Sequence, residues 1–356
     1  MNALTLADVS LKLGTFTLGE ISLVLPAHEI LVVVGPNGAG KSVLLETIAG
    51  FHRSARGRIL IGDRDVTGLP PERRRVGFLV QNFGLFPHLN IAQNIAVAAE
   101  ANRSADEGPD VSALLARFGI AHLADASPLV LSPGEKQRAA LARAEASHPD
   151  LFLLDEPFAA LDVQARDDLR LELSRFLRET RAPALFVTHD RADVAALGDR
   201  VAIMCDGKIL QCGAASEVFR RPVSRAVAGI LGIENILAGD IEGAEQHRVR
   251  VIVAGHALEA EAGDRAQAGT GVHVAIRAEA IRLAPRDRVP VIAAENRLAA
   301  NVVTLQCLGA LTKVTLECGF RLVACLMTRD ADELRLAPGA PVVALIPATD
   351  VHVLVL

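Results

Sequence analysis

The sequence predicts a large α/β domain on a mostly parallel sheet, interrupted by a helical insert and followed by a smaller all-β domain. Three observations carry this. From Leu4 to about Leu231, strand-like runs alternate with helical ones. Between Gln81 and Pro149 the strands stop, and helical stretches at 111–118 and 135–146 take over. After Arg220-Arg221-Pro222 and the Gly229/Gly232 pair, short strand-like segments follow one another, separated by Gly, Asp, Pro and Asn. The expected domains are 1–233, with its helical part at about 83–149, and 234–356. A chain of 356 residues has room for more than one core.

Taken in order, the first core strand is 30–34, a continuous Ile-Leu-Val-Val-Val run of the kind covered on both faces. It leads into Gly35-Pro36-Asn37-Gly38-Ala39-Gly40-Lys41-Ser42, and 43–49 reads as the helix leaving that loop. Strand, glycine-rich loop and helix in this order make a phosphate cradle. The glycines turn the backbone so that its N–H groups meet phosphate oxygens, and the helix start adds a favourable dipole. Lys41 is the residue to reach the β- and γ-phosphates, and Ser42 offers its hydroxyl to Mg²⁺. Further core strands are expected at 76–80, 151–154, 184–188 and 201–204. The strand at 151–154 ends in Asp155 and Glu156, so both acids arrive at the sheet edge where ligands bind. Asp155 suits the Mg²⁺ shell, and Glu156 suits a general base that polarises an attacking water. Ser132-Pro133-Gly134-Glu135 reads as a capping box, with Ser132 at the N-cap, Pro133 at N1 and Glu135 at N3.

In the second domain, Asn235 to Ile241 parallels Asn296 to Val302, and Ile276 to Leu283 runs without gaps against Ile346 to Val353. This degenerate repeat predicts either two small β-barrels or one intertwined pair, connected by 286–295.

Composition narrows the function classes. A net charge of −5 argues against a nucleic-acid partner. No apolar run approaches the roughly 20 residues needed to span a bilayer, and residues 1–10 lack the pattern of an export signal. A cytoplasmic location is expected. The five cysteines form no C-x-x-C pair and suit reduced, packed thiols. Trp and Tyr are absent, which leaves Phe as the only large aromatic side chain.

These motifs together resemble the ATP-binding-cassette (ABC) ATPases. Leu131-Ser132-Pro133-Gly134-Glu135 occupies the signature sequence, and Gln81 with the loop through His88 resembles the Q-loop. Ala160-Leu161-Asp162 is similar to the D-loop, and Thr188-His189-Asp190 to the segment carrying the switch histidine. The resemblance implies ATP and Mg²⁺ as ligands, with Gln81 near the metal and His189 bonded to the γ-phosphate. It implies a homodimer in which Ser132, Gly134, Glu135 and Asp162 of one copy face the nucleotide of the other. Two departures stand out: Pro133 replaces the family's first signature glycine, and Glu135 its glutamine. The family stacks adenine on an aromatic residue near the N-terminus, and the positions here are Leu13 or Phe16.

The second domain resembles the OB-like regulatory domain called TOBE, related to small molybdate-binding domains, through Asn235-Ile236-Leu237, 277–281 and 308–314. Across the whole chain the nearest likeness is to the ATPases of molybdate/tungstate importers, and sulfate, iron(III) and polyamine importers share the architecture. That likeness implies peripheral attachment at the cytoplasmic face of the membrane, integral permease subunits as partners and, through them, a solute-binding protein. A soluble ABC ATPase outside transport is the alternative from another class. The likeness also points to an oxyanion at the second domain, with Lys313, Thr312 and the Gly309 backbone as candidate donors, although Pro347 stands where molybdate-binding domains commonly carry lysine.

Overall fold

The computed structural model describes every residue except 55, 102–109, 160, 246–247, 262–267, 287–294 and 356. Ala160 of the D-loop segment and most of the 286–295 connection therefore lie outside the described residues. The chain divides into two compact units, Met1–Val218 and Phe219–Leu356.

The first unit opens on two long strands, β1 (Asn2–Leu13) and β2 (Phe16–Pro26), whose residues largely alternate between buried and exposed. Such strands bury one face only, so they do not enter the parallel sheet that the alternation of strands and helices suggested. They pair antiparallel and, with β4 (Arg56–Ile61) and β5 (Arg64–Asp65), form a separate sheet in the order β2-β1-β4-β5. The second sheet is built on β3 (Ile30–Val34), a run buried at every position. Its other members are β6 (Val76–Leu79), β7 (Leu151–Asp155), β8 (Ala184–Thr188), β9 (Arg200–Cys205) and β10 (Lys208–Ala214). Their order is β10-β9-β3-β8-β7-β6, parallel except for the edge pair β9/β10.

Helix α1 (Lys41–Ala49) leaves β3, and the guanidinium of Arg74 closes its far end by donating to the carbonyls of Thr47 and Ile48. The helical part contains α2 (Ile91–Ala101), α3 (Val111–Arg117) and α4 (Pro133–Ala146). It has a core of its own, including Ile91, Ile95, Leu114, Leu115, Ala139 and Ala142. Helices α5 (Val163–Thr180) and α6 (Arg191–Leu197) flank β8, and α7 (Ala215–Arg220) carries the chain across the division.

The second unit begins earlier than the expected boundary at 233/234. Helix α8 (Arg225–Ile230) belongs to it, because Ala228 packs with Ile233, Ala275 and Leu354. Strands β11 (Asn235–Glu245), β12 (Arg248–Val253), β13 (His256–Glu261) and β14 (Gly271–Ile276) form most of a closed barrel. A second sheet contains β15 (Arg282–Pro285), β16 (Glu295–Leu308), β17 (Leu311–Glu317), β18 (Arg321–Met327) and, after α9 (Thr328–Glu333), β19 (Pro341–Pro347). The last strand, β20 (Val351–Val355), closes the first barrel between β13 and β14.

The repeat is therefore the intertwined pair. Asn235 lies opposite Ile276 and Asn296 opposite Ile346, while β15 pairs with β19 and β20 with β14, so each half lends its last strand to the other. The two asparagines hold the exchange in place. Asn235 donates to the carbonyls of Ile276 and Val323 and accepts from Val323 N–H at 2.7 Å. Asn296 donates to the carbonyls of Ile346 and Glu259 and accepts from Glu259 N–H at 2.7 Å. Each buried amide thus ties its own half to a strand of the other, Asn235 to β18 and Asn296 to β13. One apolar cluster runs through both halves, from Val249 and Val251 to Val314 and Leu316.

Candidate nucleotide-hydrolysis site

The glycine-rich loop follows β3, and its geometry needs glycine at two places. A Cβ on Gly35 would lie 2.1 Å from the Met204 carbonyl oxygen. Gly40 has φ +98°, and a Cβ there would lie 2.3 Å from Cζ of Phe16. Gly40 is also the N-cap of α1, so the loop delivers backbone N–H groups and a helix start to one place.

Residues Asn37 to Val43, together with Phe16, Gln81, Glu156 and His189, line a cavity of about 540 Å³. Lys41 is buried and donates to the carbonyl oxygens of Gly35 at 2.9 Å and Pro36 at 3.2 Å. Burial lowers its pKa from the usual lysine value, and the carboxylates of Glu156 and Asp155 oppose that shift. Ser42 Oγ donates to Asp155 Oδ1 at 3.1 Å, which sets two hard oxygen ligands side by side. Burial raises the Asp155 pKa above the usual carboxylate value, the Ser42 hydrogen bond lowers it, and the neighbouring Glu156 raises it further.

Glu156 sits just past the end of β7 with φ +42°, a left-handed conformation for a side-chain-bearing residue, while its N–H still bonds to the Val187 carbonyl. The turn aims its carboxylate between two partners. Glu156 Oε1 lies 3.9 Å from Lys41 Nζ and 3.3 Å from His189 Nδ1. Phosphate loop, acid pair and histidine come from three neighbouring parallel strands, β3, β7 and β8. That is the edge at which open α/β sheets bind ligands.

The donor set fits ATP with Mg²⁺. A lysine whose hydrogen bonds go to the Gly35 and Pro36 carbonyls, with Glu156 3.9 Å away, can turn to phosphate, and the paired Ser42 and Asp155 oxygens match a cation that prefers oxygen ligands. Of the two residues considered for the base, Phe16 lines the cavity and Leu13, its cross-strand partner, does not.

Ser132, Gly134, Glu135 and Asp162 are not brought to this cavity within one chain. Ser132 caps α4, and the capping box is formed: Glu135 Oε2 accepts from Ser132 N–H at 2.8 Å and from its hydroxyl at 2.7 Å. The Ser132 bonds lower the Glu135 pKa. Asp162 caps α5, accepting from Ala165 N–H at 2.9 Å.

Sequence reasoning missed Arg143 on α4, which donates to the carbonyls of Phe83 and Gly84 and lies over the Phe86 ring, holding the segment after Gln81. Its only sequence signal is an arginine within an Ala-rich helix. In the second unit, Thr312 and Lys313 are neighbours on β17 and face opposite ways, so they do not form one pocket with Gly309. The Thr312 hydroxyl pairs with that of Thr328 at 3.1 Å.

The ABC transporter family profile matches residues 18–159, and the TOBE domain profile matches 292–353. The chain is 38% identical over 356 residues to the molybdate/tungstate import ATP-binding protein WtpC of Pyrococcus horikoshii, covering 98% of this chain and 99% of the relative. It is 38% identical over 274 residues to the spermidine/putrescine import ATP-binding protein PotA of Pseudomonas fluorescens, covering 76% of each. Among solved structures, the dimeric post-hydrolysis state of the ATP-binding cassette MJ0796 bound to ADP and Pi aligns with a TM-score of 0.53 at 27% identity. The alignment covers 60% of this chain and 98% of that one. With a phosphate loop, an acid pair and a histidine converging on one cavity, and with relatives matched along nearly the whole length, the chain belongs to the family of ABC transporter ATP-binding proteins.

Proposed function

We propose that this chain hydrolyses ATP as a homodimer and drives separate membrane-spanning subunits that import molybdate or tungstate. The observation that carries the hydrolytic reading is Glu156 standing between Lys41 and His189 at the mouth of the phosphate loop. The loop N–H groups bind the phosphates, and Lys41 leaves the Gly35 and Pro36 carbonyls to reach the β- and γ-phosphates. Mg²⁺, held by Ser42, Asp155 and Gln81, would neutralise charge on the β- and γ-phosphate oxygens. Glu156 takes a proton from the attacking water as its oxygen bonds to the γ-phosphorus, and the bond from that phosphorus to the bridging oxygen breaks to release ADP. His189, which faces Glu156 at 3.3 Å, donates to the γ-phosphate. Phe16 packs against the adenine.

In this reading Ser132, Gly134 and Asp162 complete the nucleotide site of a second copy, and the exposed loop from Gln81 to His88 faces the permease. No described helix is long and apolar enough to cross a membrane, which fits a subunit that works through separate spanning partners. The substrate assignment is supported by the likeness to the Pyrococcus relative, which includes the second unit. The polyamine-importer relative supports a second reading, spermidine or putrescine. Reconstitution with the cognate membrane subunits and solute-binding protein tests both. ATP turnover stimulated by molybdate or tungstate and not by spermidine is expected, and the reverse pattern would select the polyamine reading.

A further inference from the structure

Behind His189 lies a charged cluster that the proposed chemistry does not use. Arg170 on α5 is 8% exposed, and it meets three carboxylates. Its Nε and Nη2 bond to Asp193 Oδ1 at 2.8 and 2.7 Å, Nη2 reaches Asp190 Oδ2 at 3.3 Å, and Nη1 bonds to Asp167. The other Asp193 oxygen accepts the Thr188 hydroxyl at 2.6 Å, and that hydroxyl accepts from Asp190 N–H at 2.9 Å. Thr188 and Asp190 are the two chain neighbours of His189. The turn carrying the histidine is therefore pinned on both sides, and Arg170 is reached from both, directly through Asp190 and through Thr188 and Asp193.

Helix α5 is also the element that starts at Asp162. One turn before Arg170, Arg166 donates to the Leu161 carbonyl at 3.3 Å and approaches Asp190 at 3.6 Å. The first turns of α5 thus hold the segment carrying Asp162 at one end and the turn carrying His189 at the other. His189 itself is 56% exposed and has Glu156 as its ion-pair partner, so its own contacts fix it weakly.

We propose that Arg170, acting through Asp193 and Thr188, is a positioning residue that sets the place of His189 and links it to the Asp162 end of α5. The inference rests on the reading that His189 acts in hydrolysis. A displacement of Asp162 when two copies close on ATP then moves His189 through a helix and an ion cluster whose centre, Arg170 with Asp193, is buried, and side chains in such a centre have few alternative arrangements. A planar guanidinium suits this task because it holds two carboxylates at fixed angles, which an ammonium does not.

The test uses the full chain with isotope-labelled histidine. The His189 ring signals, assigned by their loss in His189→Gln, are followed in Arg170→Lys, Thr188→Val and Thr188→Ser, alongside ATP turnover and ATP affinity. For Arg170→Lys and Thr188→Val the expected result is displaced His189 signals and a kcat lower by roughly 10- to 100-fold, with ATP affinity within about twofold of the parent. Thr188→Ser keeps the hydroxyl, so it restores both signals and rate. The Thr188 pair decides the matter alone if Arg170→Lys does not fold. His189 signals that superimpose on those of the parent in every folded variant overturn the proposal, whatever the rate does. Displaced signals with an unchanged rate uphold the positioning role and overturn the reading that His189 takes part in hydrolysis.

Discussion

The two units bury polar groups for different ends. In the first, the buried polar side chains around the sheet edge include four ionisable ones, Lys41, Asp155, Arg170 and Asp193, beside the hydroxyl of Thr188. Burial moves the pKa of Lys41 down and those of Asp155 and Asp193 up, because desolvation penalises the charged form of each. In the second, the buried polar side chains among the described residues are the amides Asn235 and Asn296 and the hydroxyl of Thr312, all neutral and bonded within the protein. Around the sheet edge the buried charges stand where the proposed chemistry or the placing of its groups uses them. A buried amide holds strands in register at lower desolvation cost.

That contrast can be broken by mutation, and the largest effect is expected at Glu156. Glu156→Gln should slow ATP hydrolysis by about two to four orders of magnitude, the range for a lost general base, while ATP binding and the melting of both units stay near the parent. Single-turnover hydrolysis with a parallel thermal melt checks this, and unchanged turnover removes Glu156 from the role. The mirror experiment is Asn296→Ala. It leaves the Glu259 N–H and carbonyl and the Ile346 carbonyl without that partner, so the second unit should lose roughly 2–4 kcal/mol of stability, summed from unmet hydrogen bonds. ATP turnover by the first unit should change by less than about twofold, and a comparable loss of both would erase the distinction between the units.

Smaller effects sharpen the picture inside the first unit. Phe16→Ala should weaken ATP binding by roughly 0.5–1.5 kcal/mol through lost packing on the base, whereas Leu13→Trp should leave the affinity unchanged. Fluorescent-nucleotide titration separates them, and tighter binding in Leu13→Trp would return the base to that position. The smallest change is expected for Pro133→Gly, which restores a backbone N–H at the start of α4 and loosens the helix. Stability should fall by about 0.4–1 kcal/mol while turnover rises modestly. A fall in turnover would show that the fixed proline φ is needed for assembly of the two copies.

Much of the first unit was legible in the sequence because its information is local. The phosphate loop is one contiguous segment, the acids end an unbroken apolar strand, and the capping box is read from Ser132 and Glu135 alone. What stayed illegible depends on contacts between distant residues. Arg170 and Asp193 look like ordinary surface charges of amphipathic helices, and no spacing rule connects them to Thr188. The separate antiparallel sheet followed from alternation in 2–26, a signal outweighed by the α/β pattern that begins at β3. The repeat in the second unit was visible, and its two asparagines mark corresponding positions. Nothing in the sequence showed that the strands trade places, because pairing by β15 and β20 depends on partners far along the chain.

That exchange has a consequence for how the second unit comes into being. The first barrel opens at Asn235, yet its closing strand is β20, whose Val355 pairs with Val272. A ribosome adding about 5–20 residues per second therefore exposes β11 to β14 for several seconds before residue 355 emerges to complete their barrel. During that interval β14 presents an unpaired edge to every other nascent chain nearby. Truncation before β20 would leave that edge open permanently, and the expected outcome is aggregation of the whole product, however sound its first unit.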